Sequence, residues 1–485
     1  MGDLAKIFKA YDIRGVVPAE FDEDTAEAVG AAFAEVLGAS AVVIARDMRE
    51  SSAPLAAAFA RGVTGRGADV VDAGLGSTDL LYYASGSLGL PGVMFTASHN
   101  PARYNGMKMC RAGAVAMSAE TGLTAVRDRA AEILRAGLHG DGTATGTGRV
   151  GTGPDAGRAG AGRDAGRADA GPAGAGRPGT VTSRDLLAGY AAHLRGLVDL
   201  SGLRPLRVVV DAGNGMAGHT VPAVFGGLPV EVIPLYFELD GTFPNHEANP
   251  LEPANLVDLR AAVVDKSADL GLAFDGDADR CWVVDERGES VPPSAVTALV
   301  ATRELARHPG APVIHNLITS RAVPEIIAEH GGVPVRTRVG HSYIKAEMAR
   351  TGAIFGGEHS AHYYFRDFWF ADSGMLAALH VLAALGEQDR PLSHLMDRFS
   401  RYSASGEINS RVDDQAAVIA RVRAEYAGRD GLSVDELDGL TVSGPSWWFN
   451  LRPSNTEPLL RLNAEAADDH QMAAVRDEVL AAVRS

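Results

Sequence analysis

The stretch Asp275-Gly276-Asp277-Ala278-Asp279-Arg280 sets three carboxylates at alternate positions, directly after the apolar run Leu270–Phe274. Like charges this close resist ionising together, and a bound cation removes the conflict. An all-oxygen donor set selects magnesium, calcium or manganese over zinc. Asp275, Asp277, Asp279 and Glu286 also match the acidic positions of an EF-hand loop. Against that reading, Arg280 stands where the EF-hand turn needs glycine. The flanks Leu270–Phe274 and Cys281-Trp-Val-Val284 also read as strands where an EF-hand needs helices. A catalytic metal loop at the end of a strand is therefore preferred, ahead of a solvated acidic turn.

Three more loops are rich in groups that could do chemistry. Thr96-Ala97-Ser98-His99-Asn100-Pro101 follows the apolar Gly92–Phe95 and presents a hydroxyl on a turn, with Lys108 shortly after. Gly357-Glu358-His359-Ser360-Ala361-His362 puts a carboxylate and a hydroxyl two residues apart, a donor and acceptor set that suits neighbouring sugar hydroxyls. Arg452-Pro453-Ser454-Asn455-Thr456-Glu457-Pro458 combines a guanidinium, two hydroxyls and an amide, the makings of an anion cradle. Each could equally be a capped polar turn. Gly213-Asn-Gly215-Met-Ala-Gly218 follows a strand and matches a dinucleotide-binding fingerprint, with Glu238 downstream. Nothing else in the chain resembles a hydride-transfer site.

Alternating helical and strand patterns must position these loops. A helix is expected from Asp22 to Leu37, then a strand at Ala41–Ile44, a helix over 54–61 and a strand at Asp69–Val71. A second α/β run carries strands at Leu206–Val210, Val230–Ile233 and Ala268–Phe274. A third has helices over 295–306 and 323–329 with strands at Pro312–Ile314, Pro334–Val335 and 354–357. After about residue 400 the pattern becomes a smaller α+β unit, with strands near 450–451 and 459–463 and a helix over 468–483. These runs divide the chain into 1–139, 181–288, 289–400 and 401–485. Residues 140–180 are Gly, Ala, Arg and Asp with almost no apolar bulk, and read as a disordered insertion.

At 485 residues the chain can hold three or four domains, and its 22% charged and 46% apolar content is that of a globular enzyme. A net charge of −16 argues against nucleic-acid or anionic-membrane partners. It also requires any phosphate to meet a local cluster of arginine and lysine. Two cysteines, Cys110 and Cys281, make no disulfide framework. With no signal-peptide core at the N-terminus and no apolar run long enough to span a bilayer, a cytoplasmic location is expected.

The four loops, in this order, together with Tyr11-Asp12-Ile13-Arg14-Gly15 and Gly340-His341-Ser342-Tyr343-Ile344-Lys345, resemble the α-D-phosphohexomutase family over nearly the whole chain outside the insertion. Within it the likeness is greatest to the bacterial phosphomannomutase and phosphomannomutase/phosphoglucomutase branch. The resemblance implies three related α/β domains and a smaller C-terminal α+β domain around a central cleft. It implies an isomerase that interconverts hexose 1-phosphates and 6-phosphates, acting on mannose and glucose phosphates. The reaction would run through a phosphoserine at Ser98 and a hexose 1,6-bisphosphate, which also serves as activator. Asp275, Asp277 and Asp279 would hold Mg²⁺ with a phosphate oxygen on Ser98. Arg14, Lys108, His341, His99 and Arg280 would assist at the reacting phosphate. Glu358, Ser360, His362 and Lys345 would read the sugar, and Arg452, Ser454, Asn455, Thr456 and Arg461 would grip the phosphate not being transferred. Ala97 and Ala361 depart from glycines common in these loops, and His359 stands at a variable position. A phosphoglucosamine mutase is the sister alternative, and a dinucleotide-binding oxidoreductase the more distant one.

Overall fold

The structure is a computed structural model that describes residues 4–137, 177–454 and 459–485, without the side chains of 341 and 342. The expected insertion at 140–180 lies outside the described residues except for its last four positions. Among the described residues the strands form four sheets, one of seven strands and three of five.

The first three sheets share one plan. In the first, Ala41–Arg46 lies between Asp69–Leu75 and Gly92–Phe95, all parallel, and Gly92–Phe95 then pairs antiparallel with Tyr104–Arg111. In the second, Leu206–Asp211 is flanked in parallel by Val230–Leu235 and Leu270–Phe274, and Leu270–Phe274 turns back onto Cys281–Asp285. In the third, Pro312–Asn316 is flanked by Val333–Thr337 and Phe355–Gly357, and the latter turns back onto Tyr363–Phe365. The inner parallel strands, such as Gly92–Phe95 and Leu270–Phe274, are buried along their length, whereas the edge strands Asp69–Leu75, Val230–Leu235 and Val333–Thr337 are partly exposed. In every case the third parallel strand is followed by a short loop and an antiparallel strand. The loops at 96–103, 275–280 and 358–362 occupy that one place in their respective sheets.

The helices follow from periodicity and capping. The first long one is Glu23–Leu37, its N-cap the Asp22 carboxylate accepting from Thr25 N, and Gly38 closes it in the left-handed region at φ 57°. It packs on Ser52–Gly65 so closely that a side chain on Gly30 would meet the Phe59 carbonyl oxygen at 2.2 Å. Val181–Ser183 pairs in parallel with Asp69–Leu75 and extends the first sheet by one edge strand. Similarly Ser290–Val291 still pairs with Cys281–Asp285 in the second sheet.

One apolar cluster runs through both the second and third sheets, joined by residues such as Phe225, Leu203, Leu382 and Leu385. The fourth sheet, with Ser403–Arg411, Trp447–Pro453 and Leu459–Ala466, keeps its own core of Val422, Phe449, Leu462 and Val479. It meets the rest through a small cluster of Leu317, Ile318 and Trp448. Among the described residues no helix is long and apolar enough to cross a membrane.

Candidate active site

The first and second loops meet face to face. Ser98 adopts a left-handed backbone at φ 51°, a costly conformation for a residue with a β-carbon and one that concentrates at functional turns. A side chain on Gly276 would lie 2.5 Å from the Ser98 carbonyl oxygen, so only glycine allows the acidic loop this near. The Ser98 hydroxyl consequently donates to Asp275 Oδ2 at 2.8 Å, although 177 residues separate them in the chain. Arg280 Nε and Nη2 donate to the same carboxylate oxygen at 2.9 and 2.8 Å, and Nη2 lies 2.6 Å from His99 Nδ1.

Asp275, Asp277 and Asp279 are fully buried and each offers an oxygen within 4.8 Å of the others. Lys108 Nζ donates to Asp277 Oδ2 at 2.7 Å and also to Asp279. Arg280 and Lys108 thus bring two positive charges to three negative ones. Asp277 Oδ1 and Asp279 Oδ1 are buried with no hydrogen-bond partner. Two orphaned carboxylate oxygens in a buried, under-neutralised triad fit a hard divalent cation. Burial drives Asp275 above the ordinary carboxylate range, with Arg280 opposing it. Burial would also raise Asp277, but the Lys108 charge and hydrogen bond outweigh it and hold Asp277 well below that range. Burial and then the Arg280 charge push His99 well below the ordinary imidazole value, so it stands neutral beside Ser98.

A cavity of about 990 Å³ opens onto this pair of loops, with Arg14, Ser98, Lys108, Arg280, His362 and Asp372 among its lining. Arg14 reaches it from the strand Ile13–Val16, held by Asn100 Oδ1 at 2.5 Å and Asp12 Oδ2 at 2.6 Å. Glu358, 2% exposed, is the hub of the third loop. It accepts from Tyr364 Oη at 2.8 Å and Gly340 N at 3.2 Å, and lies 3.3 Å from His362 Nδ1. Burial would raise its pKa, but the hydrogen bond and charge of His362 take it well below the usual range. Ser360 Oγ lies 3.0 Å from the same imidazole nitrogen. The Lys345 ammonium sits 2.5 Å from Asp372 Oδ1 and 4.2 Å from the centre of the Tyr82 ring, two residues that line the same cavity.

On the fourth sheet, Arg452 and Arg461 face one another across neighbouring strands. The expected ligands Asn455 and Thr456 lie outside the described residues, as does the side chain of His341, which opens the helix His341–Thr351. His359 of the third loop lines one cavity together with Glu407, Trp448 and Asn463 of the fourth sheet, so that sheet faces the third loop.

Sequence reasoning missed two residues that shape the site. Arg49 is buried, and its guanidinium donates to four backbone carbonyls, those of Ser98, Asn100, Pro101 and Tyr104, at 2.7 to 3.0 Å. It is a scaffold for the serine loop. Thr78 Oγ1 donates to Asp277 Oδ2 at 2.6 Å, and Thr78 N to the Asp277 carbonyl at 3.0 Å. No local signal in the sequence marks either residue.

The rival readings fall on geometry. Glu286 turns away from the acidic loop to accept from Ser393 Oγ at 2.5 Å, so no EF-hand forms. In the glycine fingerprint, protein already fills the close approaches a pyrophosphate would need. A side chain on Gly215 would meet the Gly276 carbonyl oxygen at 2.7 Å, and one on Gly218 the Phe237 carbonyl oxygen at 2.2 Å.

Four family models cover the chain in order. Domains I, II and III of phosphoglucomutase/phosphomannomutase, each described as alpha/beta/alpha, match residues 5–135, 188–288 and 292–402, and the C-terminal domain matches 407–482. The chain belongs to the phosphoglucomutase/phosphomannomutase family. A phosphomannomutase of Salmonella typhimurium is 40% identical over 98% of each chain. A Xanthomonas campestris protein named for phosphohexose mutases is 39% identical over 97% of each. A solved family member from Burkholderia thailandensis, 32% identical, superposes with a TM-score of 0.83 over 100% of this chain and 98% of its own. Four-domain architecture, as expected from the resemblance, is thus the family's own.

Proposed function

We propose that the chain is a phosphomannomutase, interconverting mannose 1-phosphate and mannose 6-phosphate. The observation that supports it most is Ser98 Oγ, held 2.8 Å from Asp275 in a buried carboxylate triad with two oxygens that accept no hydrogen bond, in a chain 40% identical to a phosphomannomutase over 98% of its length. Asp275, Asp277 and Asp279 would hold Mg²⁺, and Ser98 would carry the phosphoryl group. When bound, the cation supplies Lewis-acid stabilisation of charge on that group.

Ser98, once phosphorylated, donates to the free hydroxyl of a hexose phosphate: the bond from phosphorus to Ser98 Oγ breaks as one to the sugar oxygen forms. The resulting 1,6-bisphosphate reverses in the cleft and returns its other phosphoryl group to Ser98. Arg280, Lys108 and Arg14 surround the reacting centre with positive charge, which favours a loose and strongly anionic transition state. Glu358 and Ser360 present acceptor and donor groups to the sugar. Arg452 and Arg461 hold the phosphate that is not transferred, with Asn455 and Thr456 assigned to the same role. Arg14 and Lys108 are assigned to assisting proton transfer near Ser98, with His341 nearby, and His362 to the sugar. The separate core of the fourth sheet suits a lid that opens for the reversal.

Glucose phosphates are proposed as additional substrates, because relatives at 39% identity are named as phosphohexose mutases without restriction to mannose. The test is turnover of mannose, glucose and glucosamine 1-phosphates with and without added hexose 1,6-bisphosphate, in wild type and Ser98→Ala. Wild type should turn over the mannose compound in the presence of magnesium, and Ser98→Ala should show none. Undiminished turnover by Ser98→Ala would remove the assignment.

A further inference from the structure

Arg452 and Arg461 are directly opposed on adjacent antiparallel strands, an arrangement that like charges disfavour. The countercharge comes from a third strand. Glu407 Oε2 accepts from Arg452 Nη2 at 2.7 Å, and Glu407 Oε1 lies 3.1 Å from Arg461 Nη1. One oxyanion therefore bridges two guanidinium groups with one oxygen on each. The strand is shaped for this. Its pairing shifts register between Ala404 and Glu407, and Gly406 takes the left-handed backbone at φ 66°. Such a bulge re-aims the side chain that follows it. Glu407 is not sealed in: its side chain keeps 18% of its exposure and that of Arg461 29%, while Arg452 keeps 9%.

A phosphate monoester gripped by these arginines would present the same pattern, two oxygens bridging two guanidinium groups. We propose that Glu407 is a positioning residue of the phosphate clamp that competes with the substrate's phosphate for Arg452 and Arg461. This rests on the reading of those arginines given above. Glu407 holds the guanidinium pair in place in the open enzyme and weakens its grip on the phosphate. The weakening has a use in a mutase. The bisphosphate must release its grip, reverse and be gripped again within each cycle, and a pair of arginines with no internal competitor would hold the first orientation too long.

The experiment compares Glu407→Gln, Glu407→Asp and Arg452→Ala with wild type. Affinity for mannose 1-phosphate is measured by calorimetry in a Ser98→Ala background, and KM and kcat in the Ser98 enzyme. Glu407→Gln keeps the shape and removes the charge. It should tighten binding and lower KM about tenfold, the scale of one lost charge-assisted competitor, and lower kcat with them as reversal slows. Glu407→Asp, too short to bridge both arginines, should shift the same way by less. A side chain that merely stabilised the sheet would raise KM and leave affinity no tighter, and that result in both Glu407 variants overturns the proposal. Arg452→Ala should weaken binding. If it does not, the clamp reading falls and this inference with it, whereas loose binding by Arg452→Ala with unchanged Glu407 variants refutes the competition alone.

Discussion

Replacing Thr78 with valine removes one hydroxyl and adds no bulk, which makes it a clean probe of the acidic triad. In the folded chain that hydroxyl donates to Asp277 Oδ2 at 2.6 Å, in a place sealed from water. It leaves Oδ1 of the same carboxylate free of any protein partner. A hydrogen bond to a charged group contributes about 1.5–3 kcal/mol. Losing the group that orients a metal ligand costs about 10–100-fold in metal affinity, which is about 1.4–2.7 kcal/mol. The two estimates overlap, so the valine variant should need about 10–100-fold more magnesium for half-maximal activity. The fold should survive, because Thr78 N still donates to the Asp277 carbonyl and Lys108 still holds Oδ2. At saturating magnesium kcat should recover to within a few-fold of wild type. Magnesium titration of turnover, paired with calorimetry of magnesium binding, reads both quantities. A half-saturating magnesium concentration within twofold of wild type would refute the reasoning, since it would mean that the Thr78 hydroxyl does not orient the triad.

Gly276→Ala should abolish most activity while leaving the sheets intact, because the added carbon would lie 2.5 Å from the Ser98 carbonyl oxygen and must part the two loops. Circular dichroism and turnover measured together distinguish this from unfolding. Buried histidines contribute to the pH dependence of stability, His315 and His380 among them. Burial lowers His315 to about 4 and His380 to about 3, the latter helped by Arg303 and Arg307. Between those values and the unfolded histidine value near 6.5, the unfolded chain binds protons that the folded one refuses. Stability from this source is therefore complete above about pH 6.5 and falls as pH drops, by about 1.4 kcal/mol per unit for each histidine. Buried Asp79, raised to about 7 chiefly by burial, contributes with the opposite sign over the same range. His380→Gln should accordingly flatten the dependence of Tm on pH between 4 and 6.5. An unchanged slope would show that His380 titrates normally in the folded state.

The four loops could be found in the chain because each concentrates unusual chemistry into six or seven consecutive residues. Three alternating aspartates point to a candidate cation site without any tertiary contact. The same holds for the helices: Asp22 and Asp468 both cap the helices expected to begin there, Asp468 accepting from Gln471 N. Lys345 shows the limit of that reasoning. The fold gives its ammonium Asp372 and the Tyr82 ring as partners, and neither is near it in sequence. The glycine fingerprint fails for the same reason, because the groups that fill its close approaches arrive from residues 237 and 276.

Local composition and order by themselves laid out the candidate groups: an acidic triad, a serine on a turn, a polar loop with a carboxylate, a hydroxyl and two imidazoles, and an arginine-bearing loop, strung along three α/β runs and an α+β tail. Tertiary structure decided how these become one site. The first three loops occupy the same turn, between the last parallel strand and its antiparallel neighbour, and only sheet pairing reveals that equivalence. Thr78 finds Asp277 across 199 residues, Arg49 gathers the carbonyls of the serine loop, and Glu407 bridges two arginines on the neighbouring strands. Such residues are ordinary in type and isolated in sequence. What they do depends on distances of about 3 Å that exist only once the chain has folded.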